Sequence, residues 1–268
     1  MTVANIAILL GTGLGVGFAG GLLGVGGSFI MTPIQYMIFT NMGLPVDTAI
    51  KLSFGTSLAV ILPTAASGTR RHQREGAVWW RAALIIGSCG LGSAYGGATL
   101  AAYLPGAILK IVFGAVVLGA GVRMLSFRPP EADVEPKSDP RIWAAWGALI
   151  GLVSGLIGIG GGMLAVPIMV LVLKFKMHDA VATSLAVVMI TSIGGTAGYM
   201  VNGLGVPGLP LHSLGYVHLE TWALLAATSI GMAQVGARTA HRLPARPLRY
   251  AFVGVLFYMG LRMLGVFD

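Results

Sequence analysis

The sequence predicts an all-α polytopic integral membrane protein made of two inverted-topology repeats, with about eight to ten transmembrane or re-entrant helical segments broken by glycine-rich stretches. Three observations predict it: apolar runs of spanning length along nearly the whole chain, a motif that occurs twice, and loop charges that swap sides between the copies.

The first observation is compositional. Of 268 residues, 56% are apolar and 10% charged, with a mean hydropathy of +0.84. A soluble domain carries roughly 25% charged residues, so a chain this apolar belongs in a lipid bilayer. Glycine is 41 of 268 residues, about twice its usual share of ~7%. Within hydrocarbon, glycine lets helices approach closely or break. The formal charge of +8 would suggest nucleic acid in a soluble protein. Here the basic residues sit mostly in short connections, where they retain loops on the cytoplasmic side, and no nucleic-acid partner is expected. Cys89 is the only cysteine, which excludes an intrachain disulfide and a CxxC metal site. His72, His178, His212, His218 and His241 form no HExxH pair, and no GxSxG elbow occurs. An enzyme is therefore not expected, nor a metal, a cofactor or a catalytic residue. Met1 to Asn5 lack the basic start of a signal peptide, so the first apolar stretch is expected to stay in the mature protein.

The second observation is the internal repeat. Gly17-Phe-Ala-Gly-Gly-Leu-Leu-Gly-Val-Gly-Gly-Ser28, through Pro33, aligns with Gly151-Leu-Val-Ser-Gly-Leu-Ile-Gly-Ile-Gly-Gly-Gly162, through Pro167, at an offset of 134. Gly55 to Val60 then match Ala182 to Val187. Leu104-Pro105, Phe113 and Gly121 to Leu125 match Leu243-Pro244, Phe252 and Gly260 to Leu264, at an offset of 139. The stretch 126–141 holds four prolines and four of the nine acidic residues, as a solvated linker does. Residues 1–125 are thus the first membrane repeat, 126–141 a cytoplasmic linker and 142–268 the second membrane repeat. Apolar segments are expected at 3–23, 28–42, 48–69, 82–102 and 106–125, and again at 142–158, 163–177, 180–200, 220–238 and 247–266. The first two of each half are parted only by the glycine cluster and are either two full spans or a re-entrant pair. Extra residues at Asp47 to Phe54 precede the second matched block in the first half only.

The third observation is loop charge. Either reading gives each half an odd number of crossings, which inverts the halves. Arg70, Arg71, Arg74 and Arg81 follow the third segment, whereas Tyr199 to Glu220 has no Lys or Arg. The next connection reverses this: Tyr103 to Leu109 is uncharged, but its counterpart holds Arg238, Arg242, Arg246 and Arg249. Positive loops stay inside, so both termini are expected in the periplasm and the linker in the cytoplasm, with Lys174 and Lys176. Lys110 stands against this scheme. Lys51 is the one cation within a span and is expected to snorkel near its end.

The candidate substrate site follows from the repeat. Gly24-Val25-Gly26-Gly27-Ser28 and Gly158-Ile159-Gly160-Gly161-Gly162 each open a segment with a proline five residues on, Pro33 and Pro167, a position the first turns of a helix tolerate. A helix start inside the membrane presents unpaired N–H groups and a positive dipole end, a ready site for an anion. The clusters either bind such an anion or serve close packing alone. Thr56-Ser57 and Thr183-Ser184 supply mid-span hydroxyls that line the site or bond their own backbone. Thr32 and Gln35 add possible donors beside Pro33. No Asp or Glu stands mid-span to couple transport to protons or sodium: Asp47, Asp179 and Glu220 fall at segment ends. A monoanion needs no such coupling to leave an inside-negative cell, since the potential supplies about 2.3 kcal/mol per 100 mV.

The doubled pattern Gly-x-x-Gly-x-Gly-Gly-(Gly/Ser)-x-x-x-x-Pro, followed by Thr-Ser-Leu, resembles the sulfite exporter TauE/SafE family, over Gly17 to Leu264. The resemblance implies a bacterial inner-membrane permease of about eight spans, exporting sulfite, sulfoacetate or a related organosulfonate. The alternative is a permease or channel for a different small solute in the same fold. Partners are thus a small anionic substrate and the lipid bilayer. Ser28 replaces the third glycine of the first cluster, which departs from symmetry.

Overall fold

A computed structural model describes residues 2–125, 139–240, 253–254, 257–258 and 260–264. Nine helices are described in full: α1 (Val3–Leu23), α2 (Ser28–Asn41), α3 (Val46–Arg74), α4 (Trp80–Tyr103), α5 (Gly106–Leu125), α6 (Pro140–Ile157), α7 (Gly162–Leu171), α8 (Met177–Gly203) and α9 (Leu219–Ala240). The fold is all-helical, as expected. Most of the linker, His241, Arg242, Arg246, Arg249 and much of the segment 247–266 lie outside the described residues.

By length and composition α1, α3, α4, α5, α6 and α8 can each cross a membrane. Helices α2 and α7 have 14 and 10 residues, or about 21 and 15 Å at 1.5 Å per residue, short of the ~30 Å hydrocarbon core. Helix α7 stops earlier than the apolar run 163–177, because the chain turns at Lys174, whose φ is +62°. Helix α3 runs further, so Arg70, Arg71 and Arg74 ride on its last turns instead of in the connection. Cations are favoured there by the helix dipole, and hydropathy ends a segment where charge begins although the backbone continues. The extra residues of the first half are not one block at Asp47 to Phe54. Helix α2 is four residues longer than α7, and ten residues of α3 precede Thr56 where six of α8 precede Thr183. Each extension is close to one helical turn of 3.6 residues, so the faces stay in register.

Local chemistry fixes the ends. Thr2 Oγ1 accepts the Asn5 N–H at 3.3 Å to cap α1. Asp139 accepts the Arg141 N–H at 2.8 Å, with Pro140 at the first position of α6. The start of α3 clamps two other ends. Asp47 Oδ1 accepts the Gly106 N–H at 2.6 Å where α5 begins, and Lys51 Nζ donates to the Ala102 carbonyl at 2.7 Å where α4 ends. Lys51 is 8% exposed. It therefore does not snorkel but neutralises a helix C-terminus inside the protein.

Helices α3 and α8 form the buried centre, with α1 packed on α9 and α6 on α4. Glycines at every fourth residue allow these approaches. Gly13, Gly17 and Gly21 of α1 press on Leu225, Ser229 and Ala233 of α9, and Gly147, Gly151 and Gly155 of α6 press on Ile86, Gly90 and Ala94 of α4. A Cβ on Gly17 would lie 2.3 Å from the Ser229 carbonyl oxygen, and one on Gly151 2.1 Å from that of Gly90. The two sets of contacts correspond residue for residue, at offsets of 134 and 139. Each half thus grips the other.

Candidate functional site

Both breaks between the paired helices are made of left-handed glycines. Gly24, Gly26 and Gly27 have φ of +73°, +77° and +79°, and Gly158, Gly160 and Gly161 have +67°, +74° and +81°. Three left-handed residues in four would cost any other L-residue roughly 1–2 kcal/mol each, which explains the residue type. Gly24 and Gly158 end α1 and α6; Gly27 and Gly161 begin α2 and α7 with no side-chain cap. Pro33 and Pro167 each stand at the sixth position of their helix. That is a turn deeper than the place where a missing N–H is harmless, so the carbonyls of Phe29 and Met163 lose their usual donors.

The two loops meet. A Cβ on Gly26 would lie 3.3 Å from Val188 Cγ1 and 3.5 Å from Ile61 Cγ2, and one on Gly160 3.0 Å from Ile61 Cδ1 and 3.3 Å from Val188 Cγ1. Both glycines therefore face the same two side chains, near the middles of α3 and α8. Gly162 touches the other loop directly, since a Cβ there would lie 2.6 Å from Val25 Cα. Ser28, its counterpart, begins α2 fully buried, with no partner for its Oγ among the described residues.

One polar cluster joins α2 and α3. Ser57 Oγ lies 3.0 Å from Thr32 Oγ1 and accepts from Gln35 Nε2 at 3.1 Å. All three residues and Ser28 are fully buried, and Gln35 Oε1 has no partner among the described residues. A buried polar atom left unpaired costs about 1–3 kcal/mol, and two such atoms lie on α2 beside this cluster. The residues of the second half that match Thr32 and Gln35 are Val166 and Met169. Helices α2 and α7 thus match in backbone and differ in side-chain chemistry, since α7 carries no polar side chain.

The remaining candidates are tied into the scaffold. Thr56 Oγ1 accepts the His218 backbone N–H at 3.0 Å, and Thr183 Oγ1 that of Trp79 at 3.1 Å. Ser184 Oγ donates to the Gly24 carbonyl at 2.9 Å and approaches that of Val181 at 2.8 Å. Two polar positions escape a reading of the sequence. Thr191 Oγ1 bonds the Gly160 carbonyl at 3.1 Å, and Thr64 Oγ1 lies 2.7 Å from Ser229 Oγ. The signal that finds them is helical period: Thr64 and Thr191 each follow Ser57 and Ser184 by seven residues, two turns along the same face.

Among the described residues no three His, Cys, Asp or Glu side chains come together as a metal site requires. The side chains nearest the loops are hydroxyls, one amide and apolar groups, among them Phe54 against Gly158, so these surroundings are neutral.

The profile of the sulfite exporter TauE/SafE family matches residues 9–263. The chain belongs to this family. A probable membrane transporter protein of Methanocaldococcus jannaschii is 32% identical over 263 residues, covering 97% of this chain and 95% of the relative. One of Haemophilus influenzae is 27% identical over 258 residues, covering 96% and 97%. Another of Bacillus subtilis is 26% identical over 269 residues, covering 98% and 100%. No solved structure matches. As a TauE/SafE protein, the chain is a multi-pass membrane transporter.

Proposed function

We propose that this transporter exports a small sulfur-containing anion, such as sulfite, sulfoacetate or a related organosulfonate, across the bacterial inner membrane by alternating access. The anion sits where the two glycine loops meet, held by backbone N–H groups of both loops and by Ser28, Thr32, Gln35 and Ser57. The observation that carries this reading is the fully buried Ser28 Oγ and Gln35 Oε1, unpaired among the described residues beside an uncapped helix start. Gln35 Oε1, an acceptor, favours a ligand that also carries a donor, as a singly protonated oxyanion or an aminosulfonate does. Because the polar cluster is buried, the present conformation is closed to both sides, and exchange requires one half to move against the other.

In this reading the halves are inverted, the N- and C-termini are periplasmic, the linker 126–141 is cytoplasmic, and no chemistry is done on the substrate. The arginine-bearing end of α3 supports that orientation. The test is binding of sulfite, thiosulfate, sulfoacetate, taurine and chloride to the purified protein, with Ser57→Ala and Gln35→Leu beside wild type. One sulfur anion should bind saturably and lose at least tenfold in affinity in both variants. Binding of none of them removes the substrate claim; equal binding by both variants removes the site.

A further inference from the structure

The left-handed glycines of the two loops are not bounded alike. Gly24, Gly27 and Gly158 each lie against main-chain atoms, of Val181, Val16 and Phe54 respectively. At Gly26 and Gly160 the three atoms nearest a would-be Cβ are all side-chain atoms, and all belong to Ile61 and Val188. The space in front of these two glycines is therefore bounded by side chains that substitution can trim. Ile61 and Val188 are also repeat equivalents, because the match of Gly55–Val60 to Ala182–Val187 extends to them at the same offset of 127. Both are fully buried. Both branch at Cβ, which holds each to one strongly preferred rotamer on a helix, so they make a stiff wall. At Gly160 one added carbon would already stand 3.0 Å from Ile61 Cδ1, and at Gly26 3.3 Å from Val188 Cγ1. An anion on the loop N–H groups has to displace this wall, and in a close-packed interior the cost rises with each added group.

We propose that Ile61 and Val188 determine specificity: they form an aliphatic wall over the meeting point of the loops that admits a compact oxyanion such as sulfite and rejects sulfonates bearing a carbon arm. Three oxygens on one sulfur displace the wall least. An ethyl arm displaces it further, and the second carboxylate of sulfoacetate would be buried against aliphatic groups that offer it no donor. One wall residue comes from each repeat, so the two halves set the size limit together. This inference rests on the reading that the anion binds at the glycine loops, and it narrows the class of anion.

Sulfite, ethanesulfonate and sulfoacetate are titrated calorimetrically into the purified full chain. Wild type should bind sulfite at least tenfold more tightly than either sulfonate, since a single methylene in an apolar pocket is worth about 10–200-fold. Ile61→Ala and Val188→Ala should each cut the preference for sulfite over ethanesulfonate about tenfold, and Val188→Ile, which adds a methylene, should raise it. Leu52→Ala empties an equally buried position near the start of the same helix, beside Phe39 and Ala49, and should leave the preference unchanged. A ratio of affinities within one protein does not depend on how much of it folds. Where an alanine variant fails to fold, Ile61→Val removes only one methylene and should shift the ratio in the same direction. Binding of none of the three anions by wild type defeats the proposed function and this inference together. If wild type binds a sulfur anion, a preference for either sulfonate, or a ratio unchanged in both alanine variants, overturns this inference alone.

Discussion

Thr56 Oγ1 accepts the backbone N–H of His218 at 3.0 Å, and its repeat counterpart Thr183 accepts that of Trp79 at 3.1 Å. Each bond ties the middle of the structure to the segment leading into α9 or α4, so these two hydroxyls hold the scaffold. Thr56→Val and Thr183→Val should each lower stability by about 1 kcal/mol, read as a lower thermal midpoint in detergent. Ser57→Ala, one residue away in the buried polar cluster, takes a partner from both Thr32 and Gln35, so it should lower the midpoint as well and, unlike the two valine variants, should also reduce transport.

Trp222 Nε1 donates to the Ala59 carbonyl at 3.0 Å. Pro63 lies four residues beyond Ala59 inside α3 and cannot supply the usual helical N–H. The tryptophan replaces that missing donor. Trp222→Phe should therefore destabilise the wild type by about 1 kcal/mol and the Pro63→Ala background much less. A double-mutant cycle on thermal midpoints measures the coupling, and additive effects would show that the two residues are unrelated.

Gly26 and Gly160 combine positive φ with a would-be Cβ within 3.3 Å of Val188. Leucine at either position adds left-handed strain of roughly 1–2 kcal/mol and fills the space between the loops. Gly26→Leu and Gly160→Leu should insert in the membrane at wild-type levels yet show no transport in a flux assay. Normal flux in both would sink the site assignment.

Burial pushes the His218 imidazole below its ordinary pKa, with the Glu220 carboxylate working weakly the other way. The ring is neutral in the fold: Nδ1 accepts the Thr221 N–H at 3.3 Å. A histidine depressed on folding contributes stability that is complete above ~6.5, its unfolded pKa, and is lost as the pH falls below it. Thermal midpoints should thus drop between about pH 7 and pH 5. In His218→Gln that slope should be shallower.

Much of this was legible in the sequence, because backbone requirements leave residue-type signatures. Only glycine suits Gly24, Gly26 and Gly27, so their loop announces itself, and its second copy gives the repeat. What long-range packing decides was not legible. The partner of Thr56 lies 162 residues away, and no local pattern distinguishes an acceptor for a backbone N–H from a substrate ligand. The helical state of Arg70 to Arg74 was hidden because hydropathy reports lipid contact and not backbone bonding.

The central claim is that a sulfur anion passes through the site where the glycine loops meet. It is tested most directly by uptake of radiolabelled sulfite or sulfoacetate into proteoliposomes, with and without an imposed membrane potential, comparing wild type with Gly26→Leu. Saturable, potential-sensitive movement of one of these anions by wild type, and none by the variant, is the predicted result. Movement of neither anion, or equal movement by both proteins, would contradict it.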